Sequence, residues 1–243
     1  MGITFREGDV AIHDVATRVG GRPPLIAVPD IVRAGRELGM HGLSVNAVAA
    51  RLGVSATALY RHIDGRWELE RLVGESLLAD LELIDDPSQS VEEHLLAFGV
   101  QLHRYALDHP GLAAYLQLLF PRGEAGARLL AEEVAILAGR GYPAESAALL
   151  SSSVAVLAIG LAAQHEIKAE AGDGFTRERD AAAQRLAADS ALGPVHTAGR
   201  QLAPTQYLKF LLNALIRGLL TAVTPGRPVD EIVADLTAAG EDR

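Results

Sequence analysis

The sequence predicts an all-α protein in two parts: a small N-terminal head of three helices on a larger helical bundle. Three observations carry this. Apolar residues recur at helical spacing through most long segments from residue 28 onward. Breaks such as Pro110-Gly111, Pro121-Arg122-Gly123 and Gly141-Tyr142-Pro143 separate those segments. Apolar residues make up 49 % of the chain while aromatics make up 5 %, and the abundance of alanine and leucine favours helix over strand.

Residues 1–27 carry little periodic signal, and Gly20-Gly21 with Pro23-Pro24 prevent a continuous helix, so they read as an arm. Arg18 and Arg22 on that arm could reach a phosphate or a minor groove. The first helix starts near Val28-Pro29, since proline's missing N–H has no partner in a first turn anyway. Asp30 suits the positive end of the helix dipole. Ile31, Ala34 and Leu38 face inward, and Gly39 ends the helix.

The organising stretch is residues 43–66, LSVNAVAARLGVSATALYRHIDGR. Val45, Val48, Ala49 and Leu52 give a short helix one apolar face. Gly53 supplies the turn and Ser55 can cap a second helix over residues 56–63, with Ala58, Leu59 and Ile63 inward. Thr57, Tyr60, Arg61 and His62 are left for a presentable surface. This is the pattern of a helix-turn-helix, whose second helix enters the DNA major groove. Any two helices packed across a glycine turn share part of it.

The longer wording LSVNAVAARLGVSATALYRHIDGRWELERLV resembles the DNA-binding segment of the tetracycline-repressor (TetR/AcrR) family. The Leu52-Gly53-Val54-Ser55 turn, Leu59-Tyr60-x-His62 and basic Arg66 opening a long helix carry the resemblance, which spans roughly residues 21–84. It implies a DNA-binding domain at 28–66 and a ligand-binding and dimerisation body at 67–243. It also implies a transcriptional regulator, in most cases a repressor, bound as a homodimer to a pseudo-palindromic double-stranded operator and controlled by a small molecule. Residue by residue, it assigns DNA contacts to Val45, Asn46, Ala56, Thr57, Ala58, Tyr60, Arg61, His62 and Arg66. Arg61 is the strongest base reader by chemistry, because guanidinium pairs bidentately with guanine. Asp64-Gly65 departs from the family's commoner basic, prolyl or polar pair, and Asp64 reads as a cap for the next helix.

That next helix is expected from Arg66 to about Ile84, with Trp67 packed against the head. Ser90-Val91-Glu92-Glu93 is a capping-box start for a helix reaching about His109. Shorter helices follow over 112–120 and 124–140, then the longest apolar one over 143–171. Residues 172–203 read as loops around a helical piece at 176–189. A helix at 204–223 and a minor one at 230–239 complete the chain. The 204–223 helix has an apolar stripe wider than one helix needs, and 143–171 offers alanine and serine on several sides. Together they predict a homodimer interface; burial within one large bundle is the alternative.

The net charge of −9 is unevenly spread. Residues 1–66 hold 8 Arg and 6 acids, a balance of +2, and residues 67–243 hold 14 basic and 25 acidic residues, a balance of −11. A weakly basic head on an acidic body keeps phosphate attraction local. With no cysteine, disulfides, thiolate metal sites and a cysteine nucleophile are excluded. His94 and His103 are nine residues apart, out of line for a metal pair, and no HExxH, Walker or GxSxG pattern occurs. No catalytic, cofactor or metal site is expected, and the chain reads as a regulator rather than an enzyme. The run Val154–Ala163 is too short to span a bilayer, and MGITFREGDV lacks signal-peptide order, so a cytoplasmic protein without a membrane partner is expected. For the small molecule, Phe98, His103, Tyr115, Gln117, Phe120 and Gln164 are the candidate ligand contacts within the apolar body. The alternative function is a helical ligand-binding or interaction protein without sequence-specific DNA binding.

Overall fold

The computed structural model describes residues 26–119, 123–194 and 202–238. Among them are eleven helices and no strand, so the all-α expectation holds. The arm at 1–25, with Arg18 and Arg22, lies outside the described residues, as does Phe120.

Three short helices build the head: α1 (Val28–Leu38), α2 (Val45–Leu52) and α3 (Ala56–Leu59). Ser44 caps α2 by accepting the Ala47 N–H at 3.1 Å, and Ser55 caps α3 by accepting the Ala58 N–H at 3.3 Å. Between them Gly53 sits at φ 68° and ψ 31°, the left-handed conformation that closes α2. The α3 helix is shorter than expected, and residues 60–62 continue it only as turns. Ile31, Val48, Leu59 and Ile63 meet Leu69 and Val73 of α4 (Arg66–Leu78) in one buried cluster.

The end of α4 corrects the sequence reading, which carried this helix to Ile84. The helix stops at Leu78, and Ile84 is exposed. Body side chains take carbonyls at and just beyond its end: the Tyr105 hydroxyl donates to Leu77, and Arg128 donates to Leu78 and to Leu81 after the helix at 3.2 and 3.1 Å. At its start, the cap is Gly65 rather than Asp64, and the Glu68 carboxylate reaches back to the Asp64 N–H. Trp67 lies on the surface, 58 % exposed, with the Arg66 guanidinium 5.6 Å from its ring centre.

The body comprises α5 (Val91–Asp108), α6 (Leu112–Leu119), α7 (Glu124–Gly139), α8 (Ala144–Glu170), α9 (Gly172–Ala188), α10 (Pro204–Ala222) and α11 (Val229–Ala238). The capping box at Ser90 and Glu93 forms as read. Helix α8 is the central post, packed against α5, α6, α7 and α10. It contains a window of mean hydropathy 2.0, long and apolar enough to cross a membrane, which corrects the reading from Val154–Ala163 alone. Just over half of that window is buried inside the bundle, as befits a core helix. Gly172 and Gly174 do not form a loop: Gly172 bends the chain at φ 68°, and α9 continues directly from it.

Candidate nucleic-acid interface and body cavity

Most arginines of the head are paired, either within it or with α4 and the residues just after it. Arg33 pairs with Asp30 at 2.6 Å, and Arg51 donates to Glu37 at 2.8 Å. Arg36 donates to the carbonyl and hydroxyl oxygens of Ser76 at 2.6 and 2.9 Å and pairs with Asp80, so it ties α1 to α4 and does not face outward toward a phosphate. Arg66 donates to Glu70 at 2.6 Å. Arg61 differs, because its guanidinium is exposed and has no partner among the described residues.

The same holds for the side chains of Asn46, Thr57, Tyr60 and His62, all exposed at the N-terminal ends of α2 and α3 or in the turn after α3. They offer donors and acceptors that nothing within the described chain uses. Ala56 and Ala58 are half-buried, leaving methyl edges. Val45 is the exception among the expected DNA contacts. Its side chain is buried in the head core, so only its backbone at the start of α2 remains to meet a phosphate. Its place in the apolar spacing of α2 already indicated this.

The body encloses a cavity of about 40 Å³. Its wall takes Leu78 and Leu81 from the end of α4 and beyond, Phe98, Leu102 and Tyr105 from α5, and Leu116 from α6. Leu129, Leu130 and Glu133 of α7 and Ser151, Ser152, Ala155 and Ile159 of α8 close it. Of the expected ligand contacts, Phe98 lies on this wall. His103 is half-buried elsewhere on α5, where burial, with a smaller effect from His165, holds its imidazole below the ordinary value. Gln117 and Gln164 are exposed, the latter accepting from Lys168 at 2.9 Å. Tyr115 is buried beside the wall, its ring set over Gly74 of α4. Polar residues on apolar helices therefore pointed to solvent more often than to the cavity.

The sequence reading missed a buried polar chain beside the cavity. Glu133, 1 % exposed, holds His94 with Oε1 2.9 Å from Nε2. His94 Nδ1 lies 3.0 Å from Asp85 Oδ1, angled away from good hydrogen-bond geometry. Asp85 in turn accepts from Arg140 at 2.6 Å. A signal existed, since Glu133 sits four residues from both Leu129 and Leu137, on the inward stripe of α7. Among the described residues no cluster suits a metal ion.

Residues 31–69 match the family model for bacterial regulatory proteins of the tetR family. An HTH-type transcriptional regulator of Saccharopolyspora erythraea is 29 % identical over 161 residues, covering 63 % of this chain and 67 % of that protein. ActR of Streptomyces coelicolor in complex with actinorhodin shares the fold at TM-score 0.70 and 23 % identity, over 84 % of this chain and all of that one. Apo ActR gives 0.69 and 22 % over 81 % and 96 %. BioQ of Mycobacterium smegmatis gives 0.57 and 19 % over 81 % and 98 %. The head at residues 31–69 thus matches the tetR family model of bacterial regulatory proteins, and the chain shares its overall fold with solved proteins such as ActR.

Proposed function

We propose that the chain is a dimeric transcriptional repressor that reads a pseudo-palindromic operator and is released by a small molecule entering the body cavity. The carrying observation is the set of exposed, unpartnered polar side chains at Asn46, Thr57, Tyr60, Arg61 and His62. They surround a segment too short and too well capped to need them for folding. Arg61 and Thr57 meet bases, Tyr60 and His62 meet phosphates, and residues 67–243 form the regulatory body; Arg66, expected at a phosphate, is paired with Glu70. Such a reader works in the cytoplasm, beside the chromosome.

The dimer forms through α8 and α10. The inner face of α10 buries Leu208, Leu212 and Ile216, which leaves Tyr207, Phe210, Ala214 and Gly218 outward. Phe210 is 58 % exposed, and Val156 on the adjoining α8 is 72 % exposed. Apolar side chains of this size, unpaired on two packed helices, suit a four-helix contact between two copies.

Control follows from the size and position of the cavity. A pocket for a drug-sized ligand has roughly 300–1,000 Å³, so a ligand enters only by spreading these walls. Leu78, Leu81 and Tyr105 belong both to the wall and to the clamp on the end of α4. Spreading the wall therefore shifts α4, which carries the head on its other end. The ligand favours the head spacing that misfits the operator, since equal affinity for both states would shift nothing. ActR, which shares the fold, is known in complex with actinorhodin.

The test is selection of bound duplexes from a random pool by the purified chain at near-physiological salt. The proposal expects a two-fold-symmetric sequence with half-sites about one helical turn apart. A folded dimer that enriches nothing would favour a helical ligand-binding protein without sequence-specific DNA contact.

A further inference from the structure

We propose that Glu133 anchors the polar end of the molecule that enters the cavity, and that this end is a neutral hydroxyl group on an otherwise apolar molecule. The inference rests on reading the cavity as the effector site.

Glu133 is on the cavity wall and almost fully buried. Its Oε1 faces His94, but its Oε2 is buried without a hydrogen-bond partner among the described residues. A buried carboxylate oxygen left unpaired is costly, and native structures seldom leave one without a use. An ionised carboxylate only accepts, so the missing partner must donate.

Two other buried polar groups of the wall are already committed. The Tyr105 hydroxyl already donates to Leu77, and the Ser151 hydroxyl already donates to the carbonyls of Ala147 and Ala148 at 2.9 and 3.2 Å. Burial, with Asp80 nearby, keeps the Tyr105 phenol above its ordinary range, so it retains that proton. An acceptor-only group, such as a ketone or ether, finds neither of these buried donors free. Apart from Ser152, which lies on an exposed position of α8, leucine, phenylalanine, isoleucine and alanine line the remainder and suit an apolar body.

Charge separates a hydroxyl from an amine. Arg140, Asp85, His94 and Glu133 follow one another along a polar chain behind the wall. Glu133 Oε1 already faces His94, and Asp85 already accepts from Arg140. A ligand ammonium would carry a full charge, with its desolvation cost, into an otherwise apolar cavity. A hydroxyl completes Oε2 without bringing a charge into the cavity.

The experiment is calorimetric titration of the purified full-length protein with three probes of similar size: phenol, toluene and benzylamine. Phenol should bind about tenfold or more tightly than toluene, the scale of one hydrogen bond to a charged acceptor. Benzylamine should gain nothing over toluene. Glu133→Gln turns the free acceptor into an amide that can present donors, so it should remove the phenol advantage and leave toluene unchanged. The wild-type ratio decides the matter even if that variant fails to fold.

Equal affinity for phenol and toluene, a preference for benzylamine, or no binding of any probe would each overturn the proposal. The last would leave operator reading intact. A phenol preference that vanishes in Glu133→Gln, with no effect of phenol on bound operator, would uphold the recognition but refute the effector role of the cavity.

Discussion

The Tyr105 hydroxyl donates a 2.6 Å hydrogen bond to the Leu77 carbonyl oxygen, joining a cavity-wall side chain to the last turn of the helix that carries the head. Tyr105→Phe keeps the ring on the wall and removes only this tie. Leu77 still accepts from the Asp80 N–H at 3.0 Å, so the stability cost should stay near 0.5–1.5 kcal/mol. A ligand should still bind the cavity but release operator at least severalfold less effectively. Parallel titrations of ligand and of operator with ligand check this.

A second tie crosses from α4 to α7. Glu75 Oε2 accepts the N–H groups of Ala125 and Gly126 at 2.9 and 3.2 Å, satisfying donors at the α7 N-terminus. Glu75→Ala should cost about 1–2 kcal/mol, within the range for losing a helix cap. Glu75→Gln should cost less, because its carbonyl can still accept. Urea unfolding of both variants measures the difference.

Gly74 is fixed by a close approach rather than by its backbone angles. A Cβ there would lie 2.5–2.8 Å from three ring atoms of Tyr115. Gly74→Ala should therefore destabilise by about 1–3 kcal/mol, as overpacking does. Adding Tyr115→Leu should recover part of that loss, and thermal unfolding of the single and double variants tests the coupling.

His103 gives the fold a pH dependence whose sign is fixed. Burial, then His165, hold its folded imidazole below the ordinary value. As pH falls below about 6.5, the unfolded chain takes up this proton first, so stability drops until the folded imidazole also protonates. Wild type should lose more stability than His103→Gln between pH 7.5 and 5. Parallel stability profiles for the two proteins would contradict the assignment.

The head was legible in the sequence because its determinants are local. Ser44, Gly53 and Ser55 act within four residues of themselves, and Val48 and Leu59 declare their burial by spacing. Val45 shows the limit, since a position in a family pattern does not separate a buried side chain from an exposed one. The cavity was mostly illegible because it is made by distant pairs. Leu78, Phe98, Glu133 and Ile159 come from four helices, and the Glu133–His94 contact spans 39 positions. Helix periodicity ranks faces but does not say which faces meet around a void. The α4 terminus was misread for the same reason, as Tyr105 and Arg128 from the body take its carbonyls.

Outward Phe210 on α10 offers a direct test of assembly. Phe210→Asp places a charge where two copies would meet and should shift the protein to monomer in sedimentation, with little change in monomer helicity. If the proposed dimer holds one half-site with each head, operator affinity should fall with it.

Arg61 and the surrounding unpartnered groups make the central claim, that this head reads sequence and does not merely attract phosphate. The most direct measurement is the ratio of affinities for the selected duplex and a scrambled duplex of equal length, both at about 0.15 M salt. The account predicts a ratio of roughly 10³ or more. It also predicts that Arg61→Ala loses about 1–3 kcal/mol on the selected duplex and relaxes preference at one base pair per half-site. A ratio near one, with Arg61→Ala weakening both duplexes equally, would contradict it.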